Sequence, residues 1–491
     1  SRRFKSSRPD QSHFHTSRGE PMVEAAARIA THDLDQLRRS CAEVITPADA
    51  GYDDGRRLWN AIHDRRPAVI ARPSSAEEVA AAVAFARDRE LEVTVRSGGH
   101  SAAGFGGANG GLLIDMSSMR GVQVDPRART ARVNGGALLG ELDVAAQQHG
   151  LVCPIGVVGH TGVAGLTLGG GVGRLQRNFG LTIDNVTSVE LVTADGRLVR
   201  ATEHDEPDLF WALRGAGWNF GIATAFEFRL HPFGPDLHRG VLTFPATEVH
   251  ELWERFRDYA LSAPDSVSCI FGFDRATPGG GFPEAIVGQP IVYFAWNHSG
   301  AAEDVERDTA GLRTGLSPLT ATMGSTPYVD VQVAHDLVFA WGTRSYIKSH
   351  NANGIRPEAL DQLVELMREP GEGTFSITAM GGAISRVSED ATAYAGRAAA
   401  FDLSADASWT DAADDEPNIA WCRRAMAIVE PDHTLGAYPN GNSDAGIEAT
   451  RRLYGDAKLG RLADLKRTWD PDNVFHVNPN VVPAARERHP Q

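Results

Sequence analysis

Two glycines stand directly before a histidine in Arg96-Ser97-Gly98-Gly99-His100-Ser101. Paired glycines admit backbone angles with positive φ and let amide N–H groups approach an anion closely, so the loop suits a pyrophosphate. The imidazole of His100 is then held beside whatever those amides bind. Taken alone the triplet is weak, because a histidine in a glycine turn is more often a hydrogen-bonded structural residue. A second segment, Gly159-His160-Thr161-Gly162-Val163-Ala164-Gly165-Leu166-Thr167-Leu168-Gly169-Gly170-Gly171-Val172-Gly173, offers a surface without side-chain bulk along which an extended ligand can lie. Its interleaved Val, Ala and Leu point to packing, whereas a flexible linker carries Ser and charge. A third, Arg214-Gly215-Ala216-Gly217-Trp218-Asn219-Phe220-Gly221-Ile222-Ala223-Thr224, leads into a strand. None reads GxGxxG or GxxxxGK[ST], which disfavours a Rossmann nicotinamide site and a P-loop and leaves a dinucleotide held by a different fold.

The elements that position these loops follow from periodicity. The short β-branched run Pro67-Ala68-Val69-Ile70-Ala71-Arg72-Pro73, closed by Pro, reads as a strand, Ser75-Ala76-Glu77-Glu78 as a capping box, and the residues to about Glu90 as a helix. Leu91 to Val95 is the next strand, and it runs straight into the Gly98-Gly99 loop. Gly111 to Met116 and Thr130 to Val133 read as strands and Ala137 to His149 as a helix; Ser188 to Thr193 and Arg197 to Arg200 form a hairpin about Ala194-Asp195-Gly196. Asp208 to Arg214 is a short helix and Gly221 to Leu230 a strand. Together these make an α+β lobe over residues 50–235. After the turn-rich joint His231-Pro232-Phe233-Gly234-Pro235 the texture changes to longer strands, such as Val241 to Phe244, Ser268 to Phe273, Ile291 to Trp296 and Thr374 to Ala379. This second lobe, residues 236–435, is where a substrate pocket is expected, and residues 436–491 are read as a helical return to the first lobe.

Composition bounds the partners. At 491 residues the chain is long enough for two lobes, and the net charge of -15 with only four lysines argues against nucleic acid. No run approaches the roughly 20 apolar residues of a membrane span. The four cysteines, Cys41, Cys153, Cys269 and Cys422, form no CxxC pair, so no metal site or disulfide framework is suggested and a cytoplasmic setting is expected. Residues 1–22, rich in Arg, Ser and His, read as a disordered tail.

Four motifs occur in an order that resembles the FAD-linked oxidases of the berberine bridge enzyme and vanillyl-alcohol oxidase (PCMH-type) group. They are Arg96 to Ser101, His160 to Gly171, Gly217 to Thr224, and the closing Asp470-Pro471-Asp472-Asn473-Val474-Phe475 with Asn478 and Asn480. The resemblance implies a two-lobed PCMH-type FAD-binding fold whose substrate domain is built on an antiparallel sheet facing the flavin ring. It implies that His100 is bonded to the flavin 8α-methyl, with Arg96, Ser97, Gly98, Gly99, Ser101, Thr161, Gly162, Gly165, Gly170, Gly171, Ile222, Asn478 and Asn480 about the cofactor. Many relatives add a second bond from a cysteine eleven residues before the GGG; that position here is Val158, so a single covalent link is expected. Thr161 occupies the position that borders the oxygen-facing side of the ring, and a small polar residue there favours reaction with O2.

The substrate side is thinner. Flavin oxidation needs a proton acceptor. Relatives carry one on the strand before a Gly-Gly pair, on the next strand, or on a late tyrosine. Phe375 to Ala379 has no acid, and the next strand, taken as Ser385 to Arg397, has Ala391 at the expected position with Glu389 and Asp390 before it. Tyr438 matches the third position and His160 is a second candidate. The expected activity is removal of hydride from a small alcohol, sugar or natural-product intermediate with electrons passed to O2. Leu58-Trp59-Asn60 to Arg72 also resembles favorskiiase-type flavoenzymes, which adds an oxygenating or rearranging enzyme of polyketide-type secondary metabolism as an alternative. The other alternative is a non-catalytic protein that keeps the flavin fold.

Overall fold

The computed structural model describes residues 29–485, so the expected tail at 1–22 lies outside the described residues. Four short strands open the chain: β1 (Glu43–Ile45), β2 (Val69–Arg72), β3 (Val93–Arg96) and β4 (Leu112–Asp115), in the order β1-β2-β4-β3. β4 lies parallel to both β2 and β3, while β1 is antiparallel to β2. Val69, Ile70, Leu112, Leu113 and Ile114 are all fully buried, as expected of parallel strands covered on both faces. The helix Ala76–Asp88 starts where Ser75 Oγ accepts the Glu78 N–H at 3.3 Å. The capping box is incomplete: the Glu78 carboxylate accepts from the N–H groups of Ser74 and Ala42 instead of reaching back to the cap.

A second, antiparallel sheet follows. Its strands β5 (Val122–Asp125), β6 (Thr130–Asn134), β8 (Val186–Val192), β9 (Leu198–Thr202) and β10 (Ile222–Arg229) run in the order β5-β6-β10-β8-β9. The two-residue strands β7 (Leu151–Val152) and β11 (His231–Pro232) pair separately. One apolar core beneath this sheet takes in Leu139 and Leu142 of the helix Leu139–Gln147, Val163 and Leu168 of the second glycine segment, and Phe226.

The seven antiparallel strands β12 (Asp236–Pro245), β13 (Val267–Arg275), β14 (Pro290–His298), β15 (Thr320–Pro327), β16 (Arg344–Ala352), β17 (Gly373–Ala379) and β18 (Phe401–Trp409) build the other sheet, in the order β15-β12-β14-β13-β17-β18-β16. Alternation assigns its faces. Phe375, Ile377, Phe401, Leu403 and Ala405 pack with Trp253, Leu363 and Trp421 of three covering helices. Ser376, Thr378, Asp402 and Asp406 stand on the opposite face and are only half-buried.

Here the structure corrects one expectation. Ser385 to Arg397 is not a strand: Gly381 and Gly382, at φ of 83° and 57°, turn the chain into the single helical turn Ala383–Arg386. The Glu389 carboxylate then accepts the N–H groups of Gly396 and Arg397, so backbone donors that a ladder would use are satisfied by a side chain. The next strand is β18.

The last helix, Ile447–Trp469, kinks at Gly455 and places Leu453, Tyr454 and Leu462 in the core of the first lobe. Arg397, fully buried, donates to Asp184 at 2.6 Å and so ties the segment after β17 to the loop before β8. All four cysteines are buried and unpaired. No helix among the described residues is long and apolar enough to cross a membrane.

Candidate functional site

The three glycine segments converge. With the closing segment they line one partly enclosed cleft. Arg96, Ser97, Gly98, Gly99, His100 and Ser101 leave the end of β3 and form one wall; Thr161, Gly162 and Gly165 form a second; Ile222 of β10 and Asn478 close it.

Local packing explains the glycines. A Cβ on Gly98 would stand 2.1 Å from Gly162 N, so the first two segments touch backbone to backbone. Gly99 has a φ of 70°, a left-handed angle that favours glycine. Gly165 lines the cleft and has no atom within 4 Å of where a Cβ would stand, so that space is open to a ligand. Asn478 donates to the carbonyls of Trp218 and Phe475, both at 3.0 Å, which leaves its buried Oδ1 without a protein partner. A wall of backbone, an open glycine face and an orphaned acceptor fit an extended nucleotide such as FAD.

Of the expected cofactor residues, Arg96 lines the cleft but spends its guanidinium on protein partners, and Gly170, Gly171 and Asn480 lie off the wall. The Arg96 guanidinium donates to Asp115 at 2.6 Å and to the Arg57 carbonyl at 2.8 Å, so it braces the loop. Gly170 and Gly171 lie off the cleft wall; a Cβ there would meet the Tyr394 ring at 2.9 Å and Thr182 Oγ1 at 2.1 Å. Asn480 is also off the wall, its Oδ1 buried without a partner.

His100 stacks on Trp59 at 4.8 Å between ring centroids, and Trp341 meets it edge-on at 6.1 Å. Its Nε2 lies 2.5 Å from His160 Nδ1. On its far side His160 turns Nε2 toward Asp336, 3.5 Å from the carbonyl and 4.0 Å from the carboxylate. Asp336 also accepts the Gly159 N–H at 2.6 Å, which docks the end of the helix Tyr328–Val338 on the second glycine segment. Burial and the neighbouring His160 push the His100 imidazole down to about 3, so it is neutral at physiological pH.

A separate group of ionisable side chains sits at the seven-stranded sheet. Tyr438 is half-buried, and its oxygen accepts from the Val172 N–H at 3.2 Å and from Asn440 Nδ2 at 3.0 Å. Asn440 itself lines the cleft. Burial holds the Tyr438 phenol above its ordinary value, and the charge of Asp402 adds to that. Burial pushes the Asp402 carboxyl up to about 7 against a hydrogen bond from Ser349, and its Oδ2 has no partner. Tyr394, with a buried and unpartnered hydroxyl, feels both.

Sequence reasoning missed Asp402, Asp336, Trp59 and Trp341 as members of these groups. For Asp402 the signal was present in the strict alternation of Phe401-Asp402-Leu403-Ser404-Ala405-Asp406-Ala407. Asp336 and Trp341 come from a helix and a loop far away in sequence, and nothing local marks them.

Comparison with known proteins assigns the class. Residues 67–202 match the family model described as FAD binding domain, and residues 429–482 the one described as berberine and berberine like. The chain is 30% identical over 460 residues to (R)-6-hydroxynicotine oxidase of Paenarthrobacter nicotinovorans, covering 90% of this chain and 96% of that protein. It is also 30% identical over 439 residues to an FAD-linked oxidoreductase of Dictyostelium discoideum, at 87% and 91% coverage. The crystal structure of 6-hydroxy-D-nicotine oxidase from Arthrobacter nicotinovorans superposes with a TM-score of 0.80 at 29% identity, covering 89% of this chain and 97% of that one. A berberine-bridge-like protein of Physcomitrella patens shares the fold, with a TM-score of 0.82, 24% identity and coverage of 93% and 100%. The chain belongs to the berberine-type family of FAD-linked oxidoreductases, and FAD is its cofactor.

Proposed function

We propose that this protein is an oxidase carrying FAD on a single covalent link to His100, and that it takes hydride from a small-molecule alcohol, sugar or amine and delivers the electrons to O2. The observation that carries the reading is the convergence of three glycine segments on one cleft with a neutral imidazole at its wall. Bound there, FAD supplies the hydride acceptor. Ser97 to Ser101, Thr161 to Gly165, Ile222 and Asn478 hold it, largely through backbone. Thr161 leaves room for O2 beside the ring. Val158 stands where a second, cysteinyl link would be made, and the four cysteines are elsewhere.

The substrate lies between the cleft and the open face of β17 and β18. Asp402 takes the proton of the substrate O–H or N–H as hydride leaves the adjacent carbon; a carboxyl pushed up to about 7 can both accept and release a proton near neutrality. Tyr438 has its oxygen fixed by Val172 and Asn440 and turns its hydroxyl hydrogen toward the substrate. His160, the second candidate acceptor, has its Nδ1 hydrogen-bonded to His100 Nε2. One relative is named for a hydroxylated nicotine, so heteroaromatic amines belong in the substrate panel beside alcohols and sugars.

The test is peroxide release over such a panel, with anaerobic bleaching of the flavin by any active compound. Asp402→Asn is expected to slow bleaching by about 100-fold or more, and Tyr438→Phe by about tenfold. A yellow protein that no compound bleaches, with activity appearing only on polyketide substrates and oxygen, would replace the oxidase with a rearranging enzyme.

A further inference from the structure

We propose that Arg174 and Arg239 form a binding site for an anionic oxygen group, a carboxylate or a phosphate, carried by the substrate. This rests on the substrate face proposed above and narrows the substrate to an acid. Two guanidiniums meet there without an acid between them. Arg174 follows the second glycine segment; its Nε donates to Gln332 Oε1 at 3.0 Å and its Nη2 to His335 Nδ1 at 2.9 Å. Both acceptors belong to the helix Tyr328–Val338, and both are neutral, because burial and the charges of Arg174 and Arg239 push His335 down to about 4. They aim the Arg174 fork and leave its charge in place. Its Nη1 makes no hydrogen bond among the described residues.

Arg239 comes from the other lobe. Along β12, Leu242 and Phe244 pack under the covering helices, so the half-buried Arg239 stands on the open face, the one that carries Asp402 on β18. Its cross-strand neighbours are Asn297 of β14 and Gly324 of β15, which offer no charge. The Arg239 guanidinium makes no hydrogen bond or ion pair among the described residues, yet it lies close enough for its charge to act on both Arg174 and His335.

The acids nearby are already committed. Asp143, on the helix Leu139–Gln147, accepts from Gln332 Nε2 at 3.1 Å, and burial pushes its carboxyl up to about 7. Asp336 accepts the Gly159 N–H. Burial, joined by the Arg239 charge, lowers Arg174 to about 10, which leaves it cationic at neutral pH. Like charges that the fold holds together are stabilised when an anion enters between them, and a guanidinium offers a carboxylate or phosphate paired N–H donors.

The position suits a substrate. Arg174 lies two residues beyond Val172, whose N–H holds the Tyr438 oxygen, so at most about 7 Å of backbone separates Arg174 from the proposed chemistry. On the sheet, Arg239 and Asp402 are four strands apart, about 19 Å at about 4.8 Å per strand. The Arg239 side chain spans part of that distance. The remainder takes a small molecule with its reacting carbon toward Asp402 and its anionic end toward the arginines.

The experiment titrates the flavin-loaded protein with benzoate, with inorganic phosphate, and with benzamide as the neutral control, reading flavin absorbance and the thermal midpoint. At least one of the two anions is expected to shift the flavin spectrum saturably and to raise the midpoint, and benzamide to bind at least about tenfold more weakly. The tighter anion identifies which oxyanion the site takes. Arg239→Gln is expected to weaken its binding by about 30-fold and to remove the rise in midpoint. Arg174→Lys, which keeps the charge and loses the fork, is expected to weaken it by about tenfold. Both variants are expected to keep their full flavin content, since neither side chain lines the nucleotide cleft. Over the substrate panel, Arg239→Gln is expected to raise KM for acidic compounds and to leave KM for neutral ones unchanged. A wild-type protein that binds neither anion, variants that bind them as wild type does, or oxidation confined to neutral compounds overturns the anion site and leaves the oxidase reading standing. A protein that oxidises no compound yet binds benzoate or phosphate through Arg239 keeps the site and overturns the oxidase reading.

Discussion

A carboxyl on the open face of β18 must hold its charge with one hydrogen bond from Ser349 and one oxygen that has no partner. The result is a group that titrates near 7 where an exposed aspartate titrates near about 4. If Asp402 is the base, substrate-dependent flavin reduction rises as pH climbs through about 7, and that limb vanishes in Asp402→Asn. The stability consequence has the opposite sign. The folded chain favours the protonated acid, so ionising Asp402 destabilises it progressively from about pH 4 to about pH 7. Asp402→Asn is therefore expected to raise the urea midpoint at pH 8 relative to wild type by more than it does at pH 4. At the cleft, Gly165→Val adds methyl groups where only ligand would stand. In a His100→Ala background, where FAD is held without a covalent link, overfilling of about 1–3 kcal/mol corresponds to about 5- to 150-fold weaker FAD binding, with an unchanged far-ultraviolet spectrum. Flavin absorbance per chain after gel filtration measures it.

At the scale of elements, the closing motif is held by charge. Lys466 and Asp470 are both fully buried in the last turn of the long helix, 2.7 Å apart. Lys466 Nζ also donates to the carbonyls of Asn219 and Phe475, and Asp470 accepts the N–H groups of Val474 and Phe475. One ion pair thus pins the return segment, which carries Asn478, to the third glycine loop. Lys466→Met leaves a buried carboxylate uncompensated and is expected to cost about 3–5 kcal/mol in urea unfolding. The motif Asp470 to Phe475 was legible in the sequence, as were most strands of the first lobe, because glycine turns and β-branched runs are local signals. The strands not read include β1 and β5 of the first lobe and β15, β16 and β18 of the second, where polar residues interrupt the apolar pattern. Thr320–Pro327 is an edge strand, mostly exposed, with no local reason to be extended. For the segment after Gly382 the family resemblance suggested a strand, whereas the structure uses Glu389 as a turn acceptor. The glycine segments that shape the cleft were identified from composition; the His100 to His160 contact spans 60 residues and no sequence period reports it.

Across the whole molecule, the two large sheets are joined through the turns and loops that connect their strands. Arg397 reaches Asp184, Tyr438 reaches Val172, and Tyr394, Met380 and Ile384 share an apolar cluster with Leu181 and Ile183. The proposed reaction draws on both sheets at once, since one contributes to the nucleotide cleft and the other carries Asp402. The cysteines are spread over this whole: Cys41 and Cys153 belong to cores of the first lobe, Cys269 and Cys422 to the core of the second. The thiols are therefore silent reporters of three separate cores. Ellman's reagent is expected to find essentially none in the native protein and all four in guanidinium. The order in which they become reactive during slow denaturation would tell which core opens first, without any label having been added.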